Sequence, residues 1–368
     1  MVLTGRTPRG SAGIAPTADQ PSAVLTLGQS LTPSCLAPNE HLVGNAAERA
    51  ELAHLLAARR ATAALDRAHP HITFSLLHWV LDTSTDEPAR EVFRQGAALL
   101  ANRYRELGLN RLLPIDRVWV GVRSTRPDAF GGFHHPNQGY RHVQLASVVT
   151  RYGRLNDPRP ASPELVALDL LRSYAHDCLH WGSFREYRLQ GEQVIRSRYG
   201  INRRDRQGRT YSAQDRGDAP STRNLGIVME GATDLEARMI AAAVADRLGV
   251  AERIAASDRL AFRDTTGRLE PSDFDHAEPG VASRFHLAMA GYEHGVGARY
   301  QRFLTDMGES DTGTLHALII AAMISGNLFG LSSWLDQRHG PEAFRRTFRS
   351  PAYSGPDPDE WTTTASRA

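Results

Sequence analysis

Apolar residues recur at helical spacing over 46–67, where Leu52, Leu55, Leu56 and Ala63 share a face, and again over 86–107, with Gly108 placed to end that helix. The period then drops to two. Val118-Trp119-Val120-Gly121-Val122 and the run from His142 to Val149 read as strands, separated by a loop containing Gly, Pro and Asn from Phe130 to Tyr140. At Ser162-Pro163-Glu164 the helical period returns and runs to about Leu189. Further helices are predicted over 224–248, 282–307 and 314–336, with a short one from Pro341 to about Arg349. Two strands ahead of a mostly helical body predict an α+β fold, a small N-terminal sheet packed on a helical C-terminal half.

Composition sharpens this outline. Residues 1–45 are rich in Ala, Pro, Ser, Thr and Gly and bury too little to offset their own ordering entropy, so they read as a flexible leader. Residues 46–112 form a helical N-terminal segment, 113–350 the main domain and 351–368 a flexible tail. Within the main domain, 196–223 hold eight arginines against three aspartates, a local charge of +5 in a chain whose formal net charge is +2. This stretch is expected as a long polar loop or hairpin, able to meet an anionic ligand or partner. The overall balance gives no pull toward nucleic acid or a membrane.

All 43 basic residues are arginine. With no lysine, Schiff-base chemistry (pyridoxal phosphate included) and Walker-type phosphate loops are excluded. Two cysteines, Cys35 and Cys178, cannot build a disulfide framework or a four-cysteine zinc site. The chain shows no basic start followed by an apolar stretch, and no apolar run of the roughly 18 residues a membrane span needs, so a cytoplasmic setting is expected.

The densest chemical signal is Tyr174-Ala-His176-Asp177-Cys-Leu-His180-Trp181. His176 and His180, four apart on a helix, leave one face and can reach one metal ion. Asp177 holds the position of a general base beside such an ion. Glu230, 50 residues after His180, opens another periodic segment and shares a face with Asp234. Glu230 would complete a two-histidine, one-carboxylate set that leaves a coordination position open, and Asp234 could fix the tautomer of a ligand imidazole. The same residues also fit a packed histidine pair and a first-turn glutamate that complements the helix dipole.

The pattern His176-Asp-x-x-His180 followed by Glu230-Gly-Ala-Thr-Asp234 resembles the gluzincin branch of the zincin metallopeptidases, whose motifs are His-Glu-x-x-His and Glu-x-x-x-Asp. The stretch Trp334 to Phe344 is similar to a late helical segment many of them carry. The resemblance implies zinc held by His176, His180 and Glu230, with Asp234 behind a ligand, in a zincin-like domain over 113–350. It also implies a peptide-binding edge strand, for which 142–149 is the candidate, and an oxyanion stabiliser, for which Tyr292 or His294 would serve. The expected function is zinc-dependent hydrolysis of an amide or peptide-like bond, on a peptide or a specialised small-molecule substrate. Asp177 departs from the family's glutamate and is one methylene shorter, about 1.5 Å of reach. Two alternatives remain: an HD-type metal-dependent phosphohydrolase using His142, His176, Asp177 and Asp234, and a non-catalytic zincin-like binding protein.

Overall fold

The computed structural model describes residues 39–62, 72–115, 118–124, 133–134, 142–145, 162–275 and 289–353. Two small four-stranded sheets flank a helical body, a mixed α+β architecture. In the first sheet, β1 (Glu40–Leu42) runs parallel to β6 (Arg185–Gln190), which continues antiparallel through β7 (Gln193–Tyr199) to β8 (Asn202–Arg203). In the second, the spatial order is β2 (Ile72–Leu76), β3 (Val118–Ser124), β5 (His142–Leu145) and β4 (Phe133–His134). The helices are α1 (Ala46–Thr62), α2 (Leu77–Ser84), α3 (Glu87–Glu106), α4 (Pro163–Gly182), α5 (Leu225–Arg247), α6 (Arg259–Thr266), α7 (Ala298–Gly308), α8 (Thr312–Ser325), α9 (Phe329–His339) and α10 (Ala343–Phe348). None of these helices is long and apolar enough to cross a membrane.

Local chemistry sets several of these boundaries. Asp86 accepts the Ala89 N–H to open α3, and Asn224 accepts the Gly226 N–H to open α5. Gly326 ends α8 in the left-handed region (φ +72), which glycine enters without a Cβ penalty.

Helix α4 is the centre of the molecule. Leu165, Leu168, Leu171, Ala175 and Leu179 are all fully buried, and so are residues on its other faces, as expected of a helix covered all round. It packs between α3 and α5. Gly96 makes the α3 contact close: a Cβ there would lie 2.0 Å from Leu171. Gly231 does the same for α5 against Tyr300. A second, smaller core of Leu52, Leu56, Tyr187 and Val194 joins α1 to the first sheet.

The structure corrects four expectations. The helix predicted from Ser162 to about Leu189 stops at Gly182, and 185–190 form β6, because Arg185 and Tyr187 are buried at a period of two against β1 and β7. The single helix predicted over 314–336 breaks at Gly326 into α8 and α9. The small N-terminal sheet is two sheets, one of them built largely from 185–203. The candidate edge strand beginning at His142 is no edge: β5 lies between β3 and β4. Its continuation over 146–149 falls outside the described residues. So do 1–38 of the expected leader, whose last residues supply β1, and 354–368 of the expected tail.

A buried polar knot ties α5 to its neighbours. Glu236 accepts the Arg103 Nε–H at 2.9 Å and lies 3.2 Å from His316 Nε2, while the Tyr300 hydroxyl meets His316 Nδ1 at 2.8 Å. Burial pushes the Glu236 carboxyl up, but His316 and Arg103 outweigh it and hold the group at about 2, against an ordinary value of 4.5. A depressed carboxyl contributes stability above its unfolded pKa and loses it as pH falls toward the folded one. Acid titration followed by circular dichroism should therefore show on the order of 3 kcal/mol lost between about pH 4.5 and 2 in the wild type. A Glu236→Gln variant should lack that component.

Candidate metal centre

Helices α4 and α5 run antiparallel and face each other through two stripes of residues at spacing four: Arg172, His176 and His180 on α4, and Glu230, Asp234 and Arg238 on α5. The stripes meet in reverse order. His180 Nε2 lies 3.1 Å from Glu230 Oε2, and His176 Nε2 lies 3.2 Å from Glu230 Oε1. Arg172 donates to Asp234 Oδ1 at 2.8 Å, and the Arg238 Nε is 2.7 Å from Asp234 Oδ2. The two imidazole Nε2 atoms are 3.0 Å apart.

His176, His180 and Glu230 thus bring three ligand atoms to one point, and among the described residues they form the one His/Cys/Asp/Glu cluster able to hold a metal ion. The spacing suits one. Zinc bonds of about 2.0–2.1 Å at tetrahedral angles place ligand atoms about 3.3 Å apart. The remaining ring nitrogens face partners on the far side: the Tyr199 hydroxyl is 2.7 Å from His180 Nδ1, and Asp234 Oδ1 is 4.0 Å from His176 Nδ1. Both rings therefore turn Nε2 toward the centre. His180 is almost wholly buried, whereas the Glu230 side chain is 36% exposed, so the centre opens on the Glu230 side.

Charge follows the geometry. Burial pushes the Glu230 carboxyl up, but the two imidazoles outweigh it and hold it well below the carboxylate range. Burial lowers the His176 pKa, yet Glu230 and Asp234 raise it above the ordinary value. For His180 burial prevails and the net shift is downward. Asp234, pushed up by burial, is held down by Arg172 and Arg238. Those arginines also reach Asp264, at 3.7 and 3.3 Å, so an ionic lattice supports the site from behind.

Compared with known proteins, the chain matches no family model, no curated protein and no solved structure. Its chemistry is read from its own residues alone.

The other expected residues fall as follows. Asp177 is buried beside His176, near enough for its charge to act on both imidazoles. The Tyr292 hydroxyl donates to Glu230 Oε1 at 3.3 Å, from the residue just before a π-helical turn, Glu293–Gly297. His294 is exposed, with its ring against Phe274. His142, the upstream ligand of the HD alternative, lies on a strand and not on a helix, while 146–155 lie outside the described residues. The Cys178 thiol is buried and raised by that burial, which makes it a packing residue and a poor nucleophile.

The arginine-rich segment 196–223 begins as the β7–β8 hairpin, and several of its arginines lie on aromatic rings: Arg196 on Tyr199, Arg198 on Phe184, Arg203 on Tyr211. Three residues escaped the sequence reasoning: Arg172, Arg238 and Tyr199. The arginines continue the spacing of four and were within reach of it. Tyr199 belongs to a strand that only the folded sheet brings to His180. Losing the hydroxyl that orients a ligand imidazole costs about 10- to 100-fold in metal affinity. Tyr199→Phe should show that loss in chelator competition with little change in the melting temperature of the zinc-free protein.

Proposed function

We propose that this chain is a zinc-dependent hydrolase of the metallopeptidase type, acting on an amide or peptide-like bond. The observation that carries the proposal is the convergence of His176 Nε2, His180 Nε2 and Glu230 within 3.0–3.2 Å, with Tyr199 and Asp234 behind the two rings. Two imidazoles and one carboxylate, open on one side, are the donor set of catalytic zinc sites. When bound, zinc supplies Lewis acidity toward a carbonyl and acidifies water to a pKa of about 7. With zinc held by His176, His180 and Glu230, Asp177 would be the acid–base group, taking a proton from water and passing it to the departing amine. Tyr292, its phenol held protonated by burial and by nearby Asp234 and Glu230, would turn that proton from Glu230 to the developing oxyanion. A zincin-like arrangement of the whole domain is part of this proposal, supported by the helix-borne ligand stripes.

Elemental analysis and turnover of a fluorogenic peptide library test it together. The wild type should hold about one zinc per chain. Asp177→Asn should keep that zinc and lose at least about 100-fold in turnover, at the scale of general acid–base catalysis. A wild type that takes up no zinc when supplied with it overturns the proposal. Loss of metal from both Asp177→Asn and Asp234→Asn would point to HD-type chemistry instead. Full zinc with no hydrolysis of any peptide would leave a binding protein.

A further inference from the structure

Resting on the zinc reading, we infer that the Arg238–Glu293 ion pair is a positioning device: by pinning the first residue of the π-helical turn it seats the preceding residue, Tyr292, with its phenol on the Glu230 carboxylate. Glu230 and Arg238 lie eight residues apart on α5, two turns and about 12 Å along its axis. Two consecutive residues, Tyr292 and Glu293, touch both ends of that stripe. Tyr292 Oη donates to Glu230 Oε1 at 3.3 Å, and Glu293 Oε2 accepts from an Arg238 guanidinium nitrogen at 3.3 Å.

The wider winding of Glu293–Gly297 begins at this point. Such single-turn π-bulges are rare within helices and concentrate at functional sites. Arg238 is itself anchored from elsewhere, by Asp234 and Asp264, so it offers Glu293 a fixed target.

Gly297 shows that the Glu293 carboxylate has a prepared place. A Cβ at Gly297 would lie 2.5 Å from Glu293 Oε1 and 2.6 Å from both Cδ and Oε2. The Gly297 backbone, at φ −58, is ordinary helix that any residue adopts, so conformational freedom does not require glycine here. What the position provides is the absence of a side chain beneath the Glu293 carboxylate. The path of support runs from Arg238 to Glu293, the first residue of the turn, across one peptide bond to Tyr292, and from the phenol to Glu230. Glu293 acts through Tyr292 and touches no ligand itself.

Zinc affinity of the full chain, measured by competition with a chelator of known strength, tests this without any substrate. Tyr292→Phe should weaken zinc binding about 10- to 100-fold, the usual loss for a partner that orients a ligand. Glu293→Gln should weaken it comparably, and the double variant no more than Tyr292→Phe alone, because both remove one effect. Gly297→Ala is the decisive variant. It gains helix propensity and, free of zinc, should melt no lower than zinc-free wild type, yet it displaces the carboxylate and should weaken zinc in the same way. Wild-type affinity in Glu293→Gln and Gly297→Ala, additive losses in the double variant, or an indifferent Tyr292→Phe would each overturn the inference while leaving the zinc site standing. A wild type that binds no zinc overturns the zinc reading first, and this inference with it.

Discussion

Glu230→Ala should strip this protein of its metal. In the proposed site the Glu230 carboxylate would supply the one negative ligand, 3.1 and 3.2 Å from two imidazole nitrogens. Its removal leaves two neutral donors 3.0 Å apart and nothing to balance the cation. The affinity loss should exceed the roughly 10- to 100-fold that follows loss of an orienting partner. Two measurements read it. Elemental analysis should find zinc in the wild type and little in the variant. Thermal melts should show the linkage: zinc at about 1,000 times its Kd stabilises a protein that binds it only when folded by about 4 kcal/mol. Added zinc should therefore raise the wild-type melting temperature and leave that of Glu230→Ala unmoved. A variant that keeps zinc at wild-type affinity would remove Glu230 from the ligand set.

Asp234→Ala should have the largest effect on stability. Its carboxylate lies between Arg172 at 2.8 Å and Arg238 at 2.7 Å, with both arginine side chains and the carboxylate largely buried. Truncation leaves two cations sharing Asp264, with Glu293 on Arg238 alone, at 3.3 Å or more. Breaking a buried ion pair by removing one partner costs about 3–5 kcal/mol, because the orphaned charge stays desolvated. Chemical denaturation should show a loss in that range for Asp234→Ala and a smaller one for Asp234→Asn, whose amide oxygen still accepts from Arg172. Zinc affinity should fall by about 10-fold, the low end for an orienting partner, since 4.0 Å from His176 Nδ1 is an electrostatic contact and not a hydrogen bond. Equal stability of Asp234→Ala and wild type would contradict the buried lattice.

The two tests probe features of very different visibility in the chain. The converging cluster was legible because helix geometry is local: residues four apart share a face, so His176 with His180, and Glu230 with Asp234, declare themselves wherever the helices lie. The same rule extends to Arg172 and Arg238, whose charge makes them look like solvated surface until the facing carboxylates are known. Strand placement was less legible. The segment 185–190 carries apolar residues that fit a helical period as well as an alternating one, and pairing with β1, 145 residues earlier, settled the matter. The arginine-rich hairpin read as a charged loop because its density of charge hides the stacking of arginines on rings, and one such ring, Tyr353, lies far from Arg203 in sequence.

By itself, then, the sequence determined which side chains could share a helix face, the absence of lysine chemistry, and a mixed α+β body with helices in the majority. Tertiary structure alone decided that α4 and α5 lie antiparallel, so that Arg172, His176 and His180 meet Asp234 and Glu230 in reverse order. It alone decided that Tyr199 of a strand backs His180, and that Tyr292, at the head of a π-turn, reaches Glu230. The physical reason is range. Backbone hydrogen bonding and side-chain periodicity act within one or two turns, whereas a coordination site is a meeting of surfaces, set by which apolar faces of distant segments exclude water together.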